Sequence, residues 1–143
     1  MAGGIIVDAN VWLDILTADP VWLEWSAATL RSVRADGRIA VNPIICAEIA
    51  PAFDFDWPRL DAWLAQAEVQ KEALPFEAST IAAAAHREYR SRGGSRERPL
   101  PDFYIGAHAE VDGCTLLTRD AARYRTYFPK VPLICPVQER AAD

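Results

Sequence analysis

The chain has 143 residues, of which 51% are hydrophobic and 24% are charged, a balance typical of one globular domain spanning residues 1–143. No segment offers the run of about 20 apolar residues needed to cross a bilayer, and the N-terminal residues lack the basic region of a secretory signal peptide. The net charge of −5 disfavours a protein that binds nucleic acid over its whole surface, because phosphate contacts normally come from Lys and Arg.

The N-terminal part alternates between a strand pattern and helical patterns. Ile5-Ile6-Val7 is a β-branched run and predicts a buried strand. Asp8-Ala9-Asn10 then turns the chain, and Asn10 is placed to cap a helix that begins at Val11. Pro20 suits the first turn of a second helix, which Asp36-Gly37 ends.

The rest of the chain continues the alternation. Ile39-Ala40-Val41 predicts a second strand, and Asn42-Pro43 is typical of an N-cap followed by the first residue of a helix. Later helical patterns are expected near residues 57–64, 76–89, 101–111 and 121–128, and strand patterns near 68–74, 115–118 and 131–134. Strands that alternate with helices indicate an α/β domain with a mostly parallel central sheet covered by helices on both faces.

Four acidic residues occupy telling positions in this arrangement. Asp8 directly follows the first strand, and Asp120 follows the strand that ends near Thr118. Asp102 lies in the first turn of the helix that Pro101 opens, and Glu48 lies in the second turn of the helix that Pro43 opens. Ligands of parallel sheets bind beyond the carboxyl ends of the strands, so we expect these four carboxylates to converge there.

Four carboxylates at one place repel one another unless cations balance their charge. Oxygen ligands without His or Cys favour Mg²⁺ or Mn²⁺ over zinc. Such ions activate water and stabilise the leaving oxygen in phosphodiester hydrolysis. Each carboxylate alone also has a purely structural explanation as a helix cap or a first-turn acid. The combination favours a metal-dependent nuclease.

These residues lie in segments that resemble the motifs of a known family. The segments are Val7-Asp8-Ala9-Asn10-Val11, Asn42-Pro43 with Glu48, Pro101-Asp102-Phe103-Tyr104-Ile105-Gly106-Ala107-His108-Ala109, and Leu117-Thr118-Arg119-Asp120. In order and spacing they look like the successive motifs of VapC-type PIN domains, and the resemblance covers nearly the whole chain. It implies a PIN-like fold.

The resemblance also implies an activity and partners. It implies an endoribonuclease dependent on Mg²⁺ or Mn²⁺, with Asp8, Glu48, Asp102 and Asp120 as the acidic quartet. The RNA substrate would be a tRNA, ribosomal RNA or messenger RNA. The partners implied are a cognate antitoxin, which inhibits the nuclease as in a VapBC pair, and a second copy of the chain in a homodimer.

Further residues are predicted to support this site. Asn10, Asn42 and Thr118 lie beside the acids in sequence, and Asn42 stands where the family often has Ser or Thr. Asn is an equally good N-cap, so the helix start is expected to be preserved. Candidates for holding RNA come from two arginine-rich stretches and are Arg96, Arg98 and Arg119.

Two questions remain open at the level of sequence. The first is whether the chain is instead a non-catalytic PIN-like module that binds RNA or protein, although such a module has no need of four repelling carboxylates. The second concerns the tryptophans of the early helices, which either pack in the core or line a groove for an antitoxin helix. The three cysteines show no metal-site or disulfide spacing, which favours a reducing compartment and hence the cytoplasm, with no membrane partner.

Overall fold

The computed structural model describes residues 3–94 and 99–137 as an α/β fold built on a parallel β-sheet. The strands in this part of the chain are β1 (Ile5–Val7), β2 (Ile39–Val41), β3 (Gln70–Lys71), β4 (Thr115–Leu117) and β5 (Leu133–Ile134). Their order in the sheet is β3-β2-β1-β4-β5, and every neighbouring pair is parallel. The predicted α/β fold with a mostly parallel sheet is confirmed.

Helices connect the strands. Those within the described residues are α1 (Ala9–Leu16), α2 (Leu23–Asp36), α3 (Pro43–Ile49), a 3-10 helix (Ala50–Phe53), α4 (Trp57–Gln66), α5 (Ala78–Ser91), α6 (Pro101–Asp112) and α7 (Ala121–Tyr127). None of these helices has both the length and the apolar character required to traverse a membrane. Parallel strands require such crossover connections, because the chain must return to the same end of the sheet before each new strand.

The central strand β1 is covered on both of its faces. Ile5, Ile6 and Val7 are all buried, with Ile6 and Val7 at 0% exposure. Successive side chains of a strand point to opposite sides, so burial of all three requires packing above and below the sheet. This explains why the sequence shows a continuous β-branched run here instead of an alternating pattern.

The start of α2 differs from the prediction. Pro20 was expected in the first helical turn, but the helix begins at Leu23 and Pro20 lies in a turn. In this turn the Asp19 Oδ1 accepts hydrogen bonds from the backbone N–H groups of Val21 and Trp22, both at 2.9 Å. The Asp19 side chain thus satisfies backbone donors that lie ahead of the helix.

The position of α6 is fixed at its middle and at its end. A Cβ atom on Gly106 would lie 2.4 Å from the ring of Phe128, so only glycine allows α6 to approach that ring this closely. Gly113 ends the helix in the left-handed conformation, with φ 64°, which glycine adopts at little cost. Pro101 begins the helix and places Asp102 in its first turn.

Candidate active site

The register of the sheet brings Asp8 next to Thr118. Val7 of β1 pairs with Leu117 of β4, so the residues that follow them leave the sheet side by side. The Thr118 hydroxyl donates a hydrogen bond of 2.8 Å to Asp8 Oδ2. The other carboxylate oxygen, Oδ1, accepts from the Ala9 N–H at 2.8 Å. Asp8 is therefore both the N-cap of α1 and the acid at the carboxyl end of β1.

The cap at Asp8 corrects the prediction that Asn10 caps the first helix. Asn10 lies within α1, where its Nδ2 donates to Thr118 Oγ1 at 3.3 Å and its Oδ1 accepts from the Arg119 N–H at 3.2 Å. The Thr118 hydroxyl also accepts from the Asp120 N–H at 3.0 Å. Asn10 and Thr118 thus tie the β4–α7 loop to α1 and hold Asp120 in place.

The Asp8 carboxyl is costly to ionise in this structure. It is only 4% exposed, and burial raises its pKa above the ordinary value of 3.8. Hydrogen bonds from Thr118 and Ala9 and the charge of Arg123 act in the opposite direction but do not cancel the effect of burial. A buried carboxylate of this kind gains strongly from a nearby cation.

Asp102 and Asp120 flank one arginine. Arg123 Nη1 lies 3.7 Å from Asp102 Oδ2, and Arg123 Nη2 lies 3.5 Å from Asp120 Oδ2. The arginine side chain is 13% exposed, whereas the two carboxylates are 28% and 34% exposed. Asp102 lies in the first turn of α6 and Asp120 at the N-cap position of α7.

Glu48 reaches the same place from α3. Its side chain is exposed to solvent, yet it interacts electrostatically with Asp8, Asp102 and Arg123. Partial desolvation of the carboxyl, followed by repulsion from Asp8 and Asp102, raises the pKa of Glu48 to about 7, while Arg123 opposes this increase. The four acids predicted from the sequence are thus brought together around Arg123.

Two residues of this site were not singled out by the sequence analysis. Tyr124 is fully buried, and its hydroxyl donates to Asp8 Oδ2 at 3.2 Å while accepting from Arg123 Nη2 at 3.2 Å. Arg123 Nε is buried and has no hydrogen-bond partner among the described residues. Spacing offered a sign of the arginine's position, because residues three apart on a helix face the same way and Arg123 is three residues after Asp120.

The oxygen atoms of the four acids are the candidate ligands of a metal ion. Within residues 3–94 and 99–137, no group of three or more His, Cys, Asp or Glu side chains is arranged to hold one as it stands. The chemistry of the donors nevertheless fits Mg²⁺ or Mn²⁺, since all four acids offer only oxygen and two have raised pKa values. In the metal-free protein the Arg123 guanidinium supplies part of the positive charge that such an ion would bring.

Within the described residues, the side chain of Asn42 forms hydrogen bonds with α3 and α6 and not with the four acids. It is 1% exposed, and its Oδ1 accepts from the Ile45 N–H at 2.9 Å, as predicted for an N-cap. Its Nδ2 therefore points to His108 Nδ1, 3.1 Å away, and must donate to it. His108 Nε2 in turn lies 2.9 Å from Asp112 Oδ2. Burial lowers the pKa of His108, so the neutral imidazole links α3 to α6.

We expect Asn42→Ala to lower the free energy of unfolding by about 1–3 kcal/mol, because it removes the cap of α3 and the partner of a buried imidazole nitrogen. Asn42→Ser retains the cap and should have roughly half that effect. Urea denaturation followed by circular dichroism measures both. Equal stability of the alanine variant and the unaltered protein would show that the link between α3 and α6 is unimportant.

Of the three arginines predicted to bind RNA, the structure describes one. Arg96 and Arg98 lie outside the described residues. Arg119 forms a two-pronged ion pair with the buried Asp14, in which Nε and Nη2 donate at 2.7 and 2.9 Å. Its guanidinium also lies 4.9 Å from the centre of the Trp22 ring. Any contact of Arg119 with RNA remains a prediction, and its structural role is to join α1 to the loop before α7.

Comparison with known proteins gives a family and a set of structural neighbours. The family model described as PIN domain matches residues 5–129. VapBC2 from Rickettsia felis bound to a DNA fragment from their promoter contains a similar chain, with a TM-score of 0.69, 16% identity, and coverage of 92% of this chain and 97% of that one. FitAcB from Neisseria gonorrhoeae also contains a similar chain, with a TM-score of 0.64, 20% identity, and coverage of 91% of this chain and 96% of that one. No curated protein sequence matches.

A third structure, a toxin–antitoxin complex from Klebsiella pneumoniae, gives a TM-score of 0.65 at 17% identity, covering 90% of this chain and 95% of that one. At such identities the neighbours establish the shared fold alone. The family match is of another kind, because it spans most of the chain and includes all four acids at the carboxyl edge of the sheet. On this basis the chain belongs to the PIN-domain family.

Proposed function

We propose that the protein is an endoribonuclease that depends on Mg²⁺ or Mn²⁺ and acts as the toxin of a toxin–antitoxin pair. The observation that carries the proposal is the gathering of Asp8, Glu48, Asp102 and Asp120 around Arg123. A binding module gains nothing from four carboxylates that repel one another, whereas a nuclease uses them to hold the cation that its reaction needs.

In this proposal each acid has a defined task. The four carboxylates would hold the ion, which when bound supplies an activated water and stabilises charge on the phosphate. Thr118 and Tyr124 orient the Asp8 carboxylate through hydrogen bonds. Glu48, whose pKa is raised to about 7 by partial desolvation and by the neighbouring acids, would lose its proton when the ion binds. Attack by water leaves the 2′-hydroxyl unused, so the products carry a 5′-phosphate and a 3′-hydroxyl.

Cleavage of a purified mixture of tRNA and ribosomal RNA tests the proposal. We expect discrete cuts with Mg²⁺ or Mn²⁺, no cuts with EDTA, and 5′-phosphate ends when the products are mapped. Products with 2′,3′-cyclic phosphate would contradict hydrolysis by water. Normal folding and metal binding without cleavage of any RNA, including messenger RNA, would favour a non-catalytic PIN-like module that binds RNA or protein.

The toxin role is proposed from the structural neighbours. Similar chains occur in VapBC2 from Rickettsia felis and in a toxin–antitoxin complex from Klebsiella pneumoniae, and by this likeness we assign the protein an antitoxin partner. The homodimeric state is proposed from the resemblance of the motifs to those of VapC-type PIN domains, and the cytoplasmic location from the cysteines. The three cysteines are free thiols, which accords with a reducing compartment. Co-expression of the cognate antitoxin should suppress RNA cleavage, and light scattering should give the mass of the dimer.

A further inference from the structure

A pocket of about 900 Å³ adjoins the acidic site. Asp120 forms part of its wall, together with Trp22, Trp25, Arg119 and Arg125. Asp120 therefore faces both the acid cluster and this pocket. Whatever occupies the pocket lies beside the position where a phosphate would be cleaved.

The aromatic part of the pocket is built from two half-buried indoles. The rings of Trp22 and Trp25 meet edge to face, with centroids 6.1 Å apart and an interplanar angle of 85°. The Arg119 guanidinium covers Trp22 at 4.9 Å from the ring centre. Flat aromatic and guanidinium surfaces of this kind are what single-stranded RNA bases stack on.

A buried network fixes the orientation of this wall. Arg119 is held by the two-pronged ion pair with Asp14, which is 3% exposed in its side chain. Asp14 Oδ2 also accepts a hydrogen bond of 2.7 Å from the Ser26 hydroxyl on α2. Asp14 thereby joins α1, α2 and the loop before α7, and the arginine and Trp22 are ordered before any ligand arrives. Such order lowers the entropy lost on binding.

A positive charge stands at the outer side of the pocket. Arg125 is exposed on α7, where its Nη2 lies 3.2 Å from Cys135 Sγ. Among the described residues no carboxylate forms an ion pair with this guanidinium, in contrast to Arg119, which pairs with Asp14. A phosphate group next to a stacked base would therefore be attracted to Arg125.

We propose that this pocket binds the base of an unpaired RNA nucleotide that flanks the cleaved phosphate, with Trp25 as the stacking surface and Arg125 near the backbone. The inference rests on the proposed ribonuclease function and adds a subsite to it. The volume of the pocket is in the range of pockets for small ligands, which is enough for a nucleotide. A base bound here would make the enzyme select unpaired segments of a folded RNA.

A second groove provides a contrast. It has a volume of about 520 Å³ and is lined by Val41, Cys46, Phe55, Trp57 and Leu60, among others, with no arginine among its described lining residues. Its described lining therefore lacks the combination that suits a nucleotide, which is an indole beside a guanidinium without a carboxylate partner. Trp57 is 51% exposed and therefore provides a matched tryptophan for control experiments.

The test measures RNA binding separately from RNA cleavage. Binding of a fluorescein-labelled short single-stranded RNA of mixed sequence is followed by anisotropy in an Asp102→Asn background, so that the RNA stays intact. We expect Trp25→Leu to weaken binding about tenfold to a hundredfold, the range for one stacked base, while Trp25→Phe restores most of the affinity. Trp57→Leu should bind like the parent. Arg125→Gln, an exposed change that leaves the core untouched, should weaken binding about threefold or more.

Cleavage by proteins that retain Asp102 gives the second readout. Trp25→Leu should raise KM by a factor similar to its loss of affinity and change kcat little, because in this proposal the indole contacts a flanking base and no reacting group. An RNA with an abasic nucleotide at the flanking position should bind the unaltered protein about as weakly as the intact RNA binds Trp25→Leu. The abasic nucleotide should cause no further loss of binding in Trp25→Leu, since both changes remove the same contact. Circular dichroism verifies that each variant is folded.

The outcomes separate this proposal from the proposed function. If the unaltered protein cuts RNA and both Trp25→Leu and Arg125→Gln retain its KM and affinity, the subsite is wrong and the nuclease stands. RNA binding that depends on Trp25 without any cleavage would keep the subsite and overturn the nuclease. No RNA binding and no cleavage would overturn both. If the variants lose affinity for the antitoxin and keep their affinity for RNA, the pocket binds a protein and the proposed RNA subsite is wrong.

Discussion

Asp102→Asn is expected to reduce metal-dependent RNA cleavage by roughly a hundredfold to a thousandfold or more. The substitution keeps the shape of the side chain but removes one of the four charges that would hold the ion. The Asp102 side chain is 28% exposed and its Oδ2 lies 3.7 Å from Arg123 Nη1, so the fold should not depend on its charge. Initial cleavage rates and circular dichroism measure the two effects separately.

The matched control for this prediction is Asp54→Asn. Asp54 is an exposed carboxylate, 85% accessible in its side chain, that pairs with Arg59 at 2.7 Å. The same chemical change there should leave the cleavage rate within about twofold of the parent, since exposed ion pairs contribute little. Full activity of Asp102→Asn, or equal losses in both variants, would remove Asp102 from the proposed metal site.

Lowering the pH from about 8 to about 5.5 is expected to weaken Mg²⁺ binding roughly thirtyfold, because a proton competes with the ion for one carboxyl whose pKa is about 7. That carboxyl is Glu48, which faces Asp8, Asp102 and Arg123. Titration calorimetry at several pH values measures the affinity. Glu48→Gln should bind Mg²⁺ more weakly at high pH and show a much smaller dependence over this range.

The same shift affects the stability of the metal-free protein. The pKa of Glu48 is about 7 in the folded state and 4.5 ordinarily. Its favourable contribution to the free energy of unfolding is therefore fully present below pH 4.5 and is lost as the pH rises through about 7. His108 acts in the opposite direction. Its pKa is lowered from 6.5, so its contribution is present above 6.5 and is lost as the pH falls below it. Added Mg²⁺ should therefore stabilise the protein most at alkaline pH.

Local sequence patterns determined much of the secondary structure. The strand Ile39–Val41 and the start of α3 at Pro43, capped by Asn42, agree with the prediction residue for residue. Both depend on interactions within a few residues, namely a β-branched run and an N-cap followed by proline. The prediction at Asn10 was wrong because Asp8 caps α1 and Asn10 binds Thr118 and Arg119, and α2 begins at Leu23, after the turn that contains Pro20.

The positions of the four acids also followed from sequence, since parallel strands present their carboxyl ends at one edge of the sheet. What surrounds the acids did not. Arg119 and Arg123 both belong to one arginine-rich stretch, yet Arg119 pairs with the buried Asp14 while Arg123 turns toward Asp102 and Asp120. That division depends on where α1 and α6 pack, and the Asp14 of α1 is 105 positions from Arg119 in the sequence.

The sequence by itself therefore determined the alternation of strands and helices, the parallel sheet and the edge at which the acids lie, because periodicity, caps and chain order encode them. Only the tertiary structure decided that Tyr124 donates to Asp8, that Arg123 balances the quartet, and that Trp22 and Trp25 form a pocket beside Asp120. The contacts of Tyr124 with Asp8 and of Arg119 with Asp14 join residues 116 and 105 positions apart, and they are set by the packing of whole elements, which no local pattern records.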